Sequence, residues 1–295
     1  MFSSPYILLS LTALFWAGNA IAGKLAAGLI PPFTLTAIRW TGSAIILYML
    51  ARPYLEASKP ELRKNWRFLA LMGAIGFAGF NFALYGALNF TTAINAAIEQ
   101  SAMPVIVILL GYFLFGERVR RVQMIGVSLS IVGVIVTVSR GDLGSLLRLD
   151  INIGDAIMVF AVIFYSGYSA FLRKKPPVDW RVFMFALATA AACASIPVAL
   201  IETFAFDQRI RWEWQTPVLL IYVTLFPSLL AQIFFVRGVE LIGPNRASIF
   251  INLVPVLASG LAILILGERF EVYHAIGLAL VLGGITLAEQ VRKNA

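Results

Sequence analysis

Long, uninterrupted apolar runs separated by short polar connections make up this chain. Ten runs occupy about 4–28, 32–52, 67–89, 92–115, 122–139, 153–172, 181–202, 216–239, 244–267 and 273–290. A helix needs roughly 20 apolar residues to cross a bilayer, so each run reads as a spanning helix. The runs are continuous and do not alternate in ten-residue blocks, which argues against a membrane barrel. The expected fold class is an all-α integral membrane protein with ten transmembrane helices. Short connections place sequence neighbours side by side. Three connections are longer. The one from Arg52 to Trp66 contains Ser58-Lys59-Pro60-Glu61, which reads as a helix start with a capping box and an early proline. The one from Arg140 to Asn152 reads as a linker. The one from Thr203 to Gln215 carries Trp212 and Trp214, aromatics suited to a membrane interface. No basic segment precedes Pro5, so the first run reads as a retained span instead of a cleaved signal.

The runs repeat. Thr92–Arg118 and Gly243–Arg269 share one layout at an offset of 151 residues. Pro104 answers to Pro255, and Gly116-Glu117-Arg118 to Gly267-Glu268-Arg269. Gly126 and Gly133 answer to Gly277 and Gly284, Asn81 to Gln232, and Ser101 to Asn252. The first and sixth runs align at an offset of 149, Phe15-Trp16-Ala17-Gly18 with Phe164-Tyr165-Ser166-Gly167 and Lys24 with Arg173. The expected organisation is a five-helix repeat at 1–140, a linker at 141–152 and a second five-helix repeat at 153–295. Five is odd, so the second half enters the membrane from the other side, giving two inverted repeats. Interrupted apolar segments at matching places in such halves point to a transporter's substrate site.

Charge placement sets the orientation. With a cytoplasmic N-terminus, sixteen Lys and Arg fall in inner loops and six in outer loops, and Arg39 lies within the second run. Both termini are therefore expected in the cytoplasm. The net charge of +8 belongs to these loops, so it is a topology signal and implies no nucleic-acid partner. Composition agrees: 60% of residues are hydrophobic and 13% charged, against about 25% charged in a soluble domain. The single cysteine, Cys193, rules out an intrachain disulfide and fits no cysteine metal pattern. His274, the only histidine, makes a poor metal site by itself and is expected at the surface. No phosphate-binding Gly-Lys-Ser/Thr loop is present, so ATP drive within this chain is not expected, nor is any cofactor. A membrane enzyme acting on lipid would need clustered acids, histidines or metal ligands. The spans offer Glu99, with Asp155 near a span end, which argues for transport instead.

The ten runs, the repeat, the Pro-x12-Glu spacing ending in Gly-Glu-Arg, Phe15-Trp16-Ala17-Gly18-Asn19 with Lys24, and Arg39-Trp40 resemble the drug/metabolite transporter superfamily, and within it the EamA-type exporters. The resemblance covers nearly the whole chain. It implies a central cavity formed chiefly by helices 1, 3, 4, 6, 8 and 9, and no enzymatic activity. It also implies export of amino acids, aromatic and other neutral ones favoured, or of similar small metabolites. Nucleotide-sugar or drug transport on the same fold is the alternative. The implied setting is a bacterial-type inner membrane. The expected partners are a small-molecule substrate, the lipid bilayer and protons as a candidate coupling ion, in a monomer or homodimer.

Each candidate residue has two readings. Glu99 either carries a coupling proton or meets a substrate ammonium, or it forms a static buried ion pair with Arg39 at similar depth. Pro104 and Pro255 are either hinges that also free the carbonyls of Gln100 and Ile251, or fixed kinks that only shape packing. Ser101 and Asn252 precede the prolines and either satisfy freed backbone or line the cavity. Asn81, Tyr85 and Asn89 form one polar stripe, matched by Gln232, that is either interhelical glue or a wet path. Trp16 and Tyr165, with Asn19 and Tyr168 three residues on, read as cavity walls or as ordinary packing. Ser248 joins the cavity set. Glu117 and Glu268 are expected to stabilise the start of the helix after each. The spaced glycines serve either contact between the fifth and tenth helices or a dimer.

Overall fold

The computed structural model describes residues 4–142 and 152–290, so most of the expected linker lies outside the described residues. All regular structure among the described residues is helical. Among the described residues, eight helices are long and apolar enough to cross a membrane: α1 (Pro5–Ala26), α2 (Pro32–Lys64), α3 (Trp66–Ala87), α4 (Ala93–Phe115), α5 (Arg121–Val138), α6 (Ile153–Lys174), α7 (Trp180–Phe204) and α8 (Gln215–Ile242). The ninth expected run divides into α9 (Pro244–Ile251) and α10 (Leu253–Leu266), and the tenth is α11 (Val272–Gln290).

One expectation fails at α2. No loop comes after Arg52, and the helix continues through Pro53 and Pro60 to Lys64. A proline frees the carbonyl four residues back. Here those carbonyls belong to Met49 and Glu56, on an exposed face where other partners can reach them.

The two matched prolines each lie just beyond a helix break. α4 is interrupted at Ala102, two residues before Pro104, and the ninth run at Asn252, three residues before Pro255. Ser166 of α6 donates to the Met103 carbonyl at 3.2 Å, so the first break is pinned by a neighbouring helix. Wide π turns occupy Met72–Gly79 in α3 and Phe226–Leu230 in α8, overlapping at the 151-residue offset. Such turns insert a residue into the helical ladder and re-aim the side chains beyond it. Asn81 lies just past the turn in α3, and Gln232 just past the turn in α8. The Gly-Glu-Arg units also fold alike. Gly116 and Gly267 are left-handed, at φ 66° each, and end their helices. The next residues bond back into the helix, Glu117 N–H to the Gly111 carbonyl (3.1 Å) and Glu268 N–H to the Ala262 carbonyl (3.2 Å).

The spaced glycines join α5 to α11 within the chain. A Cβ on Gly126 would run into the Gly284 carbonyl oxygen, and one on Gly133 into that of Gly277. Ser130 Oγ donates to the Val281 carbonyl between them at 3.2 Å. Where α1, α4 and α10 meet, the contact is again made by small side chains, Ala17, Ala97 and Ala258. Overpacking such a contact costs about 1–3 kcal/mol. Gly126→Leu should therefore lower the thermal midpoint of the purified protein, while Gly86→Ala, which faces open space, should not. Equal midpoints for the two variants would refute the role given to the α5–α11 contact.

Candidate functional site

Arg39 is the centre of the polar interior. It leaves α2 seven residues from Pro32, about 10 Å in at 1.5 Å per residue, and it is 5% exposed. Its Nε donates to Ser228 Oγ in α8 at 2.8 Å. Its Nη1 donates to Asn19 Oδ1 in α1 at 2.8 Å, to Asn81 Oδ1 in α3 at 2.9 Å, and to the Tyr85 hydroxyl. Tyr85 in turn donates to Asn19 Oδ1 at 2.9 Å. Asn81 turns its amide N–H to the Phe77 carbonyl at 2.7 Å, which leaves its oxygen for Arg39. Ser228 likewise donates to the Val223 carbonyl at 2.7 Å across the π turn of α8 and offers its oxygen. All the oxygens around the guanidinium are neutral, and no carboxylate pairs with it among the described residues. The expected Arg39–Glu99 ion pair is not formed. Four neutral side chains from three helices take the donors of Arg39, and Glu99 points elsewhere.

An aromatic layer adjoins this node. Trp40 stacks on Phe77 with ring centroids 4.4 Å apart and 17° between planes. Phe77 contacts Tyr168 at 5.3 Å, Tyr168 contacts Tyr165 at 5.5 Å, and Tyr165 contacts Phe80 at 5.1 Å. Arg39 Cζ lies 5.1 Å from the Trp40 ring, within cation–π range. The Trp40 indole N–H is buried and bonds to nothing among the described residues. Beyond the layer, Phe183, Met184, Trp180 and Gln232 line a cavity of about 380 Å³, with Arg173 and Lys175 at its rim. Ser228 meets Arg39 while Gln232 and Val236, farther along α8, line the cavity, so α8 connects Arg39 to the cavity.

The other end of the bundle is closed by caps between helices. Glu202 of α7 accepts from Phe33 N–H (3.2 Å) and Thr34 N–H (2.7 Å) at the start of α2. Glu268 accepts from Ala93 N–H (2.8 Å) and Ile94 N–H (3.0 Å) at the start of α4. Carboxylates are stabilised at helix N-termini by free N–H groups and the helix dipole. Lys24 does the converse, donating to the Leu88 and Thr91 carbonyls at 2.9 and 2.6 Å past the end of α3. At the cavity end, Glu117 instead pairs with Arg173, both about half exposed. The expectation that each glutamate stabilises its own following helix is thus corrected. The reversed chain after Gly267 carries Glu268 away from α11 and onto α4, and the turn after Gly116 carries Glu117 to Arg173 in the last turn of α6.

The remaining expected residues scatter. Trp16 donates from Nε1 to the Pro227 carbonyl at 3.3 Å and packs on Phe235, away from Tyr165 and Tyr168. Ser101 turns back to the Ile98 carbonyl at 2.5 Å. Asn89 is exposed and bonds the Tyr85 carbonyl, so the polar stripe ends at Tyr85. Asn252 lies at the break before α10. The side chain of Ser248 falls outside the described residues. His274 is buried, not at the surface, because the short turn before α11 tucks it against α4, where its Nε2 lies 3.0 Å from Asn95 Oδ1. Sequence reasoning missed the role of Trp40 and Ser228. Ser228 offered a signal, since it lies one helical turn before Gln232.

The EamA-like transporter family model matches residues 3–139 and again 152–289. The chain belongs to the EamA-like transporter family. Its relatives carry names of transporters, not enzymes, and with its apolar helices it is a multi-pass membrane protein. The uncharacterized transporter YyaM of Bacillus subtilis is 23% identical, covering 97% of this chain and 93% of that one. The aromatic amino acid exporter YddG of Ancylobacter novellus is 29% identical, over 66% of this chain and 67% of that one. A probable amino-acid metabolite efflux pump of Escherichia coli is 23% identical, over 95% and 92%. A crystal structure with 21% identity superposes with a TM-score of 0.65 over 99% of this chain and 98% of that one, which shows a shared fold.

In this EamA-like transporter, the caps at the closed end are open to a direct test. Ala93 is fully buried beneath Glu268. In a Cys193→Ser background, Ala93→Cys should resist a water-soluble maleimide, and adding Glu268→Gln should raise its labelling rate several-fold. Unchanged labelling would show that Glu268 does not hold this end shut.

Proposed function

We propose that this protein is a secondary transporter that exports amino acids, aromatic and other neutral ones favoured, by alternating access between its two five-helix halves. The observation that carries this reading is Arg39. Its guanidinium keeps a positive charge, and an intramembrane charge without a protein counter-ion marks a substrate or ion path. Planar guanidinium suits a carboxylate, which it can hold by two parallel hydrogen bonds. Nη2 makes no bond to a described residue and remains to donate to one carboxylate oxygen, and the second bond of the fork forms when a neutral partner on Nε or Nη1 gives way. The unpaired Trp40 N–H and the rings of Phe77, Tyr168 and Tyr165 supply a wall for an apolar or aromatic side chain. The names of two relatives, an aromatic amino acid exporter and an amino-acid metabolite efflux pump, favour the same cargo.

The cavity opens at the end where Arg173 and Lys175 lie, the end richer in Lys and Arg. By the bias of basic residues toward the cytoplasm, this is an inward-open shape with both termini cytoplasmic, in a bacterial-type inner membrane. The basic rim gathers anionic carboxylates, Gln232 and Ser228 lead inward, and Arg39 receives them. Pro104 and Pro255 then serve as the hinges about which the closed end releases its caps.

Counterflow in proteoliposomes with a panel of amino acids tests this. Aromatic amino acids should stimulate exchange from the opposite side. Arg39→Lys keeps the charge but loses the planar fork, and should reduce exchange at least about tenfold, the equivalent of one strong hydrogen bond to a charged group. No stimulation by any amino acid, from folded protein, would overturn the cargo reading.

A further inference from the structure

A second polar cluster lies apart from Arg39, on the other side of α4. Thr91, Asn95 and Glu99 recur at i, i+4 and i+8 and form one stripe. The stripe faces Asp155 in the first turn of α6 and His274 near the start of α11. Asp155 is fully buried and Glu99 is 1% exposed. Thr91 Oγ1 donates to Asp155 Oδ1, and Asn95 Nδ2 approaches both oxygens of Asp155 at 3.4 and 3.5 Å. Neither oxygen of Glu99 has a hydrogen-bond partner among the described residues, and Glu99 lies one helical turn beyond Asn95 on the face that meets Asp155.

The bonds run in one direction. Glu271 N–H donates to His274 Nδ1 at 2.8 Å, so Nδ1 is an acceptor. Nε2 must then carry the ring's proton and donate to Asn95 Oδ1 at 3.0 Å, which makes the imidazole neutral. Asn95 passes the polarity on through Nδ2 to Asp155. Both side-chain donors that end this relay, Thr91 and Asn95, point at Asp155, and neither points at Glu99. Two buried carboxyls side by side cannot both hold a bare charge. The donors stabilise the charge on Asp155, which leaves Glu99 as the acid form.

We propose that Glu99 and Asp155 form a proton-binding site of this transporter, with the proton held on Glu99 beside the Asp155 carboxylate. Charged and titratable neighbours fit this role. Lys24 of α1 is occupied by the Leu88 and Thr91 carbonyls, and Glu268, beyond α10, by the start of α4. Arg140 beyond α5 acts on Asp155 at longer range, as Asp155 does on Tyr273 of α11. None supplies a counter-charge at Glu99. The site abuts the caps of the closed end, since Thr91 accepts from Lys24 through its carbonyl and donates to Asp155 through its hydroxyl. Opening that end breaks this junction, exposes the pair to water and lets the Glu99 proton leave as Asp155 keeps its charge. Proton release is thereby tied to the outward-open state.

The proposal deepens the transport reading, and its test needs no cargo, so either can fail alone. Infrared difference spectra of the full-length protein in liposomes, titrated from acid to alkali, should show a buried protonated-carboxyl C=O band that fades at high pH. Glu99→Gln should lose that band, and Glu99→Asp should retain it at a shifted frequency. Monodispersity and thermal midpoint establish that each variant is folded. A wild-type protein without the band, or a band that survives in folded Glu99→Gln, overturns the proposal. Loss of the band on adding sodium at constant pH also overturns it, in favour of a metal-cation site.

Discussion

A dry interior makes every unpaired polar group costly, and the polar side chains of this protein are paired accordingly, with the Trp40 N–H and the two Glu99 oxygens among the exceptions. Arg39 shows it most directly. A guanidinium within the bilayer must be met on several sides, and no single helix can do so. α1, α2, α3 and α8 therefore converge, and their polar residues fall at the point of convergence. Asn81 and Ser228 first satisfy backbone carbonyls of their own helices and then offer oxygens to Arg39. The π turns explain how this is arranged. Each shifts the register of its helix just where the polar side chain must turn inward. The same turn that disrupts the backbone ladder supplies the geometry the charge requires.

The two ends of the bundle use related chemistry in unequal ways. At the closed end, carboxylates from α7 and from the turn after α10 terminate other helices, and Lys24 terminates α3. These contacts consume the free N–H and C=O groups that helix ends must present. At the cavity end, the matching glutamate and cation, Glu117 and Arg173, meet each other in a half-exposed pair. Exposed ion pairs contribute little, on the order of 0–1 kcal/mol. A pair of that kind is broken at small cost, which suits the alternating access proposed above.

Much of this was legible in the sequence because lipid imposes long apolar runs and repeats display themselves by offset. The helices, the family, the matched breaks near Pro104 and Pro255, and the Gly-Glu-Arg turns could all be read that way. Asn19, Asn81 and Tyr85 were also recoverable, since polar residues in apolar runs stand out. The hidden parts depended on partners distant in sequence. Arg39 and Glu99 share a depth, and depth alone suggested a pair. Rotation about the helix axes decided otherwise, sending Arg39 toward α3 and α8 and Glu99 toward α6. His274 looked peripheral because it begins a helix, yet the turn before it folds inward. The continuation of α2 through two prolines was equally hidden, because proline reads as a break until the surroundings of the freed carbonyl are known.

The difference between skeleton and chemistry bears on mechanism. Residues that answer to each other at the 151-residue offset are mostly structural: prolines at breaks, left-handed glycines, and small residues where α5 meets α11. The residues with unusual electrostatics have no such counterparts. Phe250 stands where a second Glu99 would be, at the 151-residue offset, and Ala188 where a second Arg39 would be, at the 149-residue offset. In the alternating-access cycle proposed above, the repeated frame rocks between two similar shapes with little energetic preference. Charged groups confined to one half remove that equivalence, because each state then exposes a different set of them to water. In the proposed cycle the frame accounts for movement, and the unpaired chemistry of Arg39 and Glu99 gives the movement a direction.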